Sequence, residues 1–319
     1  FARRSAPLHM YSTRAPHHQL AGRRARRPSR SPMPATGQML GAAPCPSHLD
    51  GEHRIGLCLT VFGMTSPKQA LSIGRVGLGS VPRVVLCATD ARGGRLPPRC
   101  TPDLIEARID LFENQTPEYV EKVLRTMRRS RYPMIGTIRK ASEGGRWRGS
   151  NRERERLFST VLPLVDAVDI ELSARALIGP VIEAAHDRGR SVIVSAHDLD
   201  RTPPGTTLAR RIRTARRLGA DIVKLAAHAR DMDDVSTLLR VLLLHPGVPL
   251  ALIAMGPVGT MSRVLFAAAG SLLTYAFAED DAPAAPGQLP IRALQAELAR
   301  YCLPYAALRR KQVSRRNRR

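Results

Sequence analysis

The chain has 319 residues, of which 43% are apolar and 24% charged, and no long low-complexity tract interrupts it. This composition excludes a disordered or fibrous protein and is enough for one large globular domain or two ordinary ones. Five widely spaced cysteines without a CxxC pair argue against a disulfide framework or a zinc site, and favour a reducing cytoplasm. The longest uncharged run near the end, residues 264–278, is too short to span a membrane, so we expect no membrane partner.

The formal net charge of +23 is concentrated at the two ends of the chain. Residues 1–80 hold eleven Lys and Arg against two acids, and residues 309–319 hold seven against none. Both ends are poor in aromatic residues for base stacking and lack a recognisable nucleic-acid-binding motif. We therefore expect solvated basic segments with at most non-specific affinity for nucleic acid, and a non-catalytic nucleic-acid-binding protein remains an alternative.

The chain begins with a segment rich in Arg, Pro and Ser, including RRARRPSRSP at 23–32, which predicts disorder up to about residue 49. Its acid-poor composition is typical of a transit segment, but it lacks a convincing amphipathic stretch and starts with Phe1. A native extension, a targeting segment and a mis-assigned start all remain open. We predict an extension over 1–80, a catalytic domain over 81–308 and a short basic tail over 309–319.

From residue 82, short apolar runs alternate with amphipathic stretches. The runs are 84–88, 104–111, 134–139, 168–172, 191–197, 221–225, 249–255 and 271–277. The helical patterns between them include 118–129, 152–162, 176–188, 206–218, 232–244 and 261–269. Eight strand–helix units in one domain predict an α/β fold of the closed (β/α)8 TIM-barrel type. A doubly wound sheet is the competing arrangement, but no GxGxxG follows the first strand.

Charged residues recur inside these predicted strands. Because side chains alternate along a strand, Glu106, Arg108 and Asp110 share one face of the second strand. The same alternation groups Thr137 with Arg139, Asp169 with Glu171, Ser195 with His197, and Ile222 with Lys224 on the next four strands. Helices cover the outside of a barrel, so these groups must face its lumen. Buried charges need partners, which indicates one coupled network.

Lys224 lies in the apolar strand IVKLAA, where desolvation is expected to lower its pKa and leave a neutral, nucleophilic amine. Lysines activated in this way form Schiff bases with ketones and aldehydes. His197 lies one strand away, near enough to move protons for the same small molecule. The pair predicts imine chemistry at the carboxyl ends of the strands.

An anionic substrate is indicated by two further features. Arg263 opens a helix after the Gly-rich loop MGPVGTMSR, where backbone N–H groups and a guanidinium can bind a carboxylate. Gln288, in APGQ after the eighth strand, is placed to reach over the barrel mouth. The sequence shows no metal-ligand spacing, P-loop or nucleophile elbow, so we expect no metal.

Seven segments in order carry a family resemblance: EARIDLF, PMIGTIRKASEGG, VDIEL, VIVSAHDLDRTP, LGADIVKLA, MGPVGTMSR and APGQ. Over roughly residues 82–300 the chain resembles the type I 3-dehydroquinate dehydratases of the shikimate pathway. The resemblance implies a TIM barrel without cofactor or metal, which dehydrates 3-dehydroquinate to 3-dehydroshikimate for aromatic amino acid biosynthesis. It also implies a homodimer.

The resemblance assigns roles by position. Lys224 matches the lysine that forms the imine, His197 the general acid and base, and Glu143 the carboxylate that orients that histidine. Arg263 matches the residue that binds the substrate carboxylate, with Gln288 beside it. The substrate-hydroxyl and network positions are matched by Glu106, Arg108 and Arg139.

Two departures from the family pattern bear on substrate affinity. Ala284 stands where many members have a serine near the substrate carboxylate, and Leu199 stands where an aromatic residue is common. A class I aldolase-like barrel acting on another small keto acid is the alternative enzyme. Most such enzymes are expected to have a phosphate site after strands seven and eight, and a single Arg263 with Gln288 suits a carboxylate better.

Overall fold

The computed structural model of this protein describes residues 71–98 and 100–316. The predictions for residues 1–70 and 317–319 lie outside the described residues. The strands are β1 (Ser72–Ile73), β2 (Val76–Gly77), β3 (Arg83–Ala88), β4 (Leu104–Arg108), β5 (Met134–Thr137), β6 (Ala167–Glu171), β7 (Ser191–Asp198), β8 (Ile222–His228), β9 (Leu250–Met255), β10 (Leu273–Phe277) and β11 (Leu289–Pro290). The helices are α1 (Pro117–Arg128), α2 (Asn151–Val161), α3 (Ile178–His186), α4 (Gly205–Arg217), α5 (Met232–Leu243), α6 (Ser262–Ala268), α7 (Ile291–Tyr301) and α8 (Leu303–Arg316). None of these helices is long and apolar enough to cross a membrane.

Local sequence explains why the helices form where they do. In α1 the buried positions are Val120, Val123, Leu124 and Met127, a spacing that presents one apolar face to the sheet. At the start of α2, Ser150 and Glu153 form a reciprocal capping box that satisfies two free backbone N–H groups. Such helices cover the outer surface of the sheet and leave its inner face for the site.

A curled parallel sheet forms the centre of the molecule. Its strands follow the order β11, β10, β3, β4, β5, β6, β7, β8 and β9, with parallel pairing throughout. The backbone N–H of Leu272, just before β10, donates to the carbonyl of Leu250 in β9 over 2.8 Å. The predicted α/β fold and its alternation of strands and helices are confirmed.

The second strand is shorter at its carboxyl end than the predicted run 104–111. The structure ends β4 at Arg108 and places residues 109–111 in a 3-10 turn. The expectation that Asp110 continues the strand is therefore wrong. The turn brings the Asp110 carboxylate back to Arg108, which donates to both of its oxygens from Nε at 3.0 Å and Nη2 at 2.8 Å.

The lower part of the sheet interior is apolar and is closed from below by the hairpin of β1 and β2. Ile73 in this hairpin is fully buried in a cluster with inward side chains of the parallel strands. The inward residues include Val85, Leu104, Ile135, Ile193 and Ile222. The Ser191 hydroxyl donates to the carbonyl of Ser72 over 2.7 Å. The predicted domain start at residue 81 is therefore wrong, because residues 71–78 form the floor of the domain.

The predicted boundary after residue 308 falls inside α8. Arg309 donates from Nη2 to the Thr101 hydroxyl at 3.0 Å, and Gln312 donates from Nε2 to Asp103 at 3.3 Å. These contacts join the helix to the segment between β3 and β4. Residues 309–316 are thus helical and partly tied to the sheet, which corrects the expectation of a solvated tail from residue 309.

A protein shortened to residues 81–308 is expected to unfold at a clearly lower temperature than one spanning residues 71–316. Removing Ile73 exposes the apolar floor, and a buried isoleucine alone contributes about 2–5 kcal/mol. Thermal unfolding followed by circular dichroism compares the two lengths. Equal melting temperatures would show that the hairpin and the end of α8 do not stabilise the domain.

Candidate active site

A pocket of about 610 Å³, a volume that includes its open mouth, lies at the carboxyl ends of the parallel strands. Pockets at this end of a parallel barrel-like sheet commonly hold the chemistry. All eight site residues predicted from the sequence line it: Glu106, Arg108, Arg139, Glu143, His197, Lys224, Arg263 and Gln288. The structure thus brings together residues from strands β4, β7 and β8, from the loops after β5 and β10, and from the first turn of α6.

Lys224 projects from the middle of β8 into the lower part of this pocket and is 5% exposed. Its Nζ donates to Glu106 Oε1 at 3.1 Å and to Asp169 Oδ2 at 3.0 Å. Burial alone would lower the pKa of this amine, but the two carboxylates outweigh burial and raise it. The expectation of a neutral resting amine is wrong for this pocket, because the lysine is held as an ammonium.

The carboxylates around Lys224 are ionised and fully partnered. Burial opposes the charge of Glu106, but Lys224 and Arg108 hold the pKa of that carboxyl below its usual range. Asp169 also pairs with Arg139 Nη2 at 2.8 Å, and this guanidinium and Lys224 lower the pKa of Asp169 despite its burial. Opposite charges therefore alternate through the lumen, as the coupled network predicted.

His197, near the carboxyl end of β7, is held by Glu143 through two hydrogen bonds. Its backbone N–H and its ring Nδ1 both contact Glu143 Oε2 at 3.0 Å. With Nδ1–H donating to the carboxylate, Nε2 keeps a free lone pair. Burial, together with the nearby charges of Arg139 and Lys224, lowers the pKa of His197 well below 6.5. The side chain is thus a neutral base.

The loop that carries Glu143 is tightly folded. Lys140 and Trp147 form an isolated β-bridge, and the backbone N–H of Trp147 donates to the Arg139 carbonyl at 3.0 Å. A Cβ at Gly145 would lie 2.1 Å from that carbonyl oxygen, so only glycine is accommodated. The Ser173 hydroxyl donates to the other oxygen of Glu143. Glu143 is therefore fixed from both sides.

Arg263, in the first turn of α6, differs from the other arginines of the pocket because its charge is not paired. It is 2% exposed, Nη2 donates to the Pro286 carbonyl at 3.2 Å, and Nε has no partner. No ion pair joins it to a carboxylate of the described residues. Burial lowers the pKa of Arg263 to about 10, which still leaves it charged at neutral pH. Such a buried cation favours an anionic ligand.

Gln288 lies in the loop after β10 and borders the same part of the pocket. Its Oε1 accepts from the Ala284 N–H at 2.7 Å, and its Nε2 donates to Cys87 Sγ at 3.3 Å. The thiol in turn donates to Glu106 Oε2 at 3.3 Å. The mouth loop is therefore connected to the carboxylate beside Lys224.

Sequence reasoning missed Cys87 and Tyr275, which also line the pocket. Cys87 shares the inward face of β3 with Val85, and Tyr275 shares that of β10 with Leu273. A search for charged strand residues passes over both because neither carries a charge. The two-residue alternation of their strands was the available signal.

A family model described as type I 3-dehydroquinase matches residues 71–300, which include the floor hairpin and every residue of the pocket. The chain belongs to the type I 3-dehydroquinase family.

Individual members of the family are similar over most of their length. The 3-dehydroquinate dehydratase of Methanosarcina mazei is 42% identical over 196 residues, 59% of this chain and 81% of the relative. That of Methanococcoides burtonii is 34% identical over 236 residues, 70% of this chain and 97% of the relative. The crystal structure of the Geobacillus kaustophilus 3-dehydroquinate dehydratase has a TM-score of 0.68 at 30% identity and covers 73% of this chain and 96% of that one. A type I 3-dehydroquinate dehydratase of Clostridium difficile, crystallised with covalently modified comenic acid, has a TM-score of 0.67 at 26% identity, with coverages of 75% and 99%.

The two departures from the 3-dehydroquinase pattern lie at the rim of the pocket. Leu199 is 44% exposed, and Ala284 is half-buried beside Gln288. Neither contacts Lys224 or His197 through a hydrogen bond, because both side chains are apolar. These two side chains therefore take no part in the charged network below them.

The acid limb of the pH profile of this 3-dehydroquinase is expected below the usual pKa of histidine. Because burial and two cations lower the pKa of His197, the ring stays neutral and able to accept a proton as the pH falls through 6.5. The folded protein binds this proton less readily than the unfolded chain does. The free energy of unfolding is therefore highest above the pKa of the unfolded-state histidine and decreases as the pH falls below that value. The dependence of kcat/KM on pH checks the first statement, and thermal unfolding between pH 5 and 8 checks the second. An acid limb centred above 6.5 would contradict the depressed pKa.

Proposed function

We propose that this protein dehydrates 3-dehydroquinate to 3-dehydroshikimate through a Schiff base on Lys224, as a step of aromatic amino acid biosynthesis. One observation carries the proposal: a buried lysine, a neutral histidine held by Glu143 and an unpaired buried arginine line the same pocket. An amine, a base and an anion site are what imine chemistry on a keto acid requires. Relatives that bear the name 3-dehydroquinate dehydratase support the choice of substrate.

The first step is attack of the Lys224 amine on the C3 carbonyl carbon of the substrate. Since the resting ammonium is stabilised by Glu106 and Asp169, it must first lose a proton. His197 is the neutral base of the pocket and accepts it. The nitrogen–carbon bond forms, one amine proton moves to the former carbonyl oxygen, and His197 returns the proton that it took, so this oxygen leaves as water. A cationic iminium with one N–H remains, and His197 is neutral again. The carboxylates that stabilised the ammonium then face this second cation.

The iminium withdraws electrons from C2 and acidifies the proton there. Neutral His197 removes that proton, and Glu143 stabilises the imidazolium that forms because it accepts from Nδ1. The electron pair moves toward C1, and the C1 hydroxyl leaves as water after taking the proton from His197. Addition of water to the iminium then releases 3-dehydroshikimate and returns Lys224. We assign to His197 the proton transfers at the amine, at C2 and at the C1 hydroxyl.

Substrate orientation follows from the charges around these two residues. Arg263 supplies the unpaired cation for the carboxylate, with Gln288 beside it. Glu106, Arg108 and Arg139 border the lower pocket and offer partners for ring hydroxyl groups. For a class I aldolase-like enzyme, the alternative, a single buried guanidinium is a poor phosphate site, so the carboxylate substrate is favoured.

We infer in addition that the sheet closes as a (β/α)8 barrel, since the backbone bond from Leu272 to Leu250 joins β10 to β9. Four expectations stay predictions: a homodimer, a cytoplasmic location, a reaction without cofactor or metal, and non-specific binding of nucleic acid by the basic ends.

The Clostridium difficile relative, crystallised with covalently modified comenic acid, supports covalent chemistry in this family.

The test is a direct assay of the purified protein with 3-dehydroquinate, in which the conjugated product is followed by its ultraviolet absorbance. Reduction with borohydride during turnover, followed by peptide mass mapping, should place the trapped adduct on Lys224. Turnover without any trapped lysine would refute the Schiff base, and no turnover would refute the activity.

Replacing Arg263 by alanine is expected to raise KM for 3-dehydroquinate about 10- to 100-fold, because the carboxylate loses its charged partner. The shape of the pH profile should stay the same, since His197 and Glu143 are untouched. Steady-state kinetics of Arg263→Ala and of Arg263→Lys, which keeps the charge, check this. An unchanged KM in Arg263→Ala would remove this residue from substrate binding.

A further inference from the structure

Tyr275 lies against the Lys224 amine on the side that the two carboxylates leave open. Its ring comes from β10, two strands beyond β8, and the Nζ lies 4.0 Å from the ring centroid. The residue is 2% exposed and lines the pocket. The amine is thus enclosed by Glu106, Asp169 and an aromatic face.

The hydroxyl of Tyr275 takes no part in this contact. It is buried and has no hydrogen-bond partner among the described residues. A buried hydroxyl without a partner costs stability, so nothing in the free protein explains why the ring carries one. The interaction with Lys224 therefore belongs to the ring, and the hydroxyl offers a matched control.

The face of an aromatic ring carries negative potential and attracts a desolvated cation. The groups that face the same nitrogen from the other strands and loops are Glu106, Asp169, Arg139, His197 and Cys87. The carboxylates accept hydrogen bonds from an ammonium, which has three N–H groups, whereas an iminium has one. The ring needs no N–H donor, so its attraction persists after the imine forms.

We propose that the ring of Tyr275 stabilises the positive charge on the Lys224 nitrogen, both as the resting ammonium and as the substrate iminium. The iminium half rests on the proposed function, and the ammonium half does not. The ring therefore keeps Lys224 protonated in the free protein, and because it attracts the iminium as well, this protonation does not make the covalent intermediate less populated. Tyr275 thus affects the reaction through the electrostatic attraction between its ring and the cation, and it does not transfer a proton.

Two substitutions separate the ring from the hydroxyl. Tyr275→Phe keeps the aromatic face, and Tyr275→Met fills much of the same volume without a π system. Two rates are measured on the Lys224 peptide by mass spectrometry: carbamylation by cyanate without substrate, and borohydride trapping with 3-dehydroquinate. The exposed Lys122 serves as the internal reference for cyanate.

In Tyr275→Met we expect carbamylation of Lys224 to be about tenfold faster, the factor equivalent to ~1.4 kcal/mol, and trapping to stay within about threefold of the wild type. Loss of the ring frees the neutral amine for cyanate, whereas trapping depends on the iminium relative to the resting ammonium, and both of these cations lose the same attraction. Tyr275→Phe should stay within about threefold of the wild type in both rates. A general loss of structure would expose the amine to cyanate and also slow the trapping strongly, so an unchanged trapping rate excludes it, and thermal unfolding of each variant records its stability.

Three results would overturn the proposal. In the first, Tyr275→Met behaves like the wild type in both rates. In the second, trapping in that variant becomes about tenfold faster or slower, which would assign the attraction to only one of the two cations. In the third, Tyr275→Phe shows the same changes as Tyr275→Met, which would assign the effect to the hydroxyl. If the wild type gives no trapped adduct, the proposed function itself fails, and the cyanate rates then decide the ammonium half alone.

Discussion

Substitution of Lys224 by alanine is expected to abolish the dehydration of 3-dehydroquinate, with kcat lowered on the order of 10⁴-fold or more. Without the amine no iminium forms, and the C2 proton is too weakly acidic for His197 to remove at a useful rate. The assay is product absorbance with high enzyme concentration, together with borohydride labelling. Wild-type protein should carry the label on Lys224, and the variant should carry none.

The control for Lys224→Ala addresses stability, because removing the lysine leaves Glu106 and Asp169 buried without their shared cation. Removing one partner of a buried ion pair costs about 3–5 kcal/mol. Thermal unfolding must therefore show that Lys224→Ala is folded at the assay temperature. Lys122→Ala, on the exposed face of α1, should retain full activity. Label on Lys122 or Lys140 in the wild type would exclude the proposed mechanism.

Substitution of His197 by alanine is expected to lower kcat by roughly 10²–10⁴-fold while the Schiff base still forms, more slowly than in the wild type. The histidine moves protons, whereas the covalent bond is made by Lys224, so trapping and turnover should separate. Burst-phase mass spectrometry measures the adduct, and steady-state assays measure turnover.

His186→Ala is the matched control, because this histidine lies on the surface in contact with Asp221, away from the pocket. It should leave both adduct formation and turnover unchanged. Turnover close to the wild-type rate in His197→Ala would assign the proton transfers to another group. Complete loss of the adduct would show that imine formation itself requires His197, which would contradict the expected separation of trapping from turnover.

The strands of the parallel sheet were predictable because each is a short apolar run between amphipathic stretches. Observed bounds such as Arg83–Ala88 and Leu250–Met255 differ from the prediction by a residue or two. The convergence of the charged residues was also predictable, since alternation along parallel strands directs them to one lumen. A regular pattern over many residues is what makes such features visible in a sequence.

The protonation state of Lys224 could not be obtained in this way. The sequence shows that the lysine is surrounded by apolar neighbours, which indicates desolvation, but it does not show which carboxylates reach the nitrogen. Glu106 lies 118 positions away along the chain, and Asp169 lies 55 positions away. Whether the pKa of Lys224 is raised or lowered depends on how close these two carboxylates lie to its nitrogen in space, which only the structure shows.

The floor hairpin was missed for a different reason. Its strands have two residues each, which is too short for any periodicity to emerge from the glycine-rich sequence around them. Helices α7 and α8 were not predicted either, although α7 buries Ile291, Leu294 and Leu298 at helical spacing. The high positive charge of the last residues predicts a solvated segment, and this prediction does not account for the packing of α8.

Gly145 makes the positions around the mouth of the pocket unequal in their capacity to evolve. No side chain fits beside the Arg139 carbonyl, so single substitutions at this position break the loop that holds Glu143 before they alter specificity. The exposed Leu199, which packs beside Gly144, and the half-buried Ala284 are expected to accept larger or more polar side chains. Natural or laboratory selection for a new substrate is therefore expected to accumulate changes around the loops after β7 and β10, while the loop after β5 stays fixed.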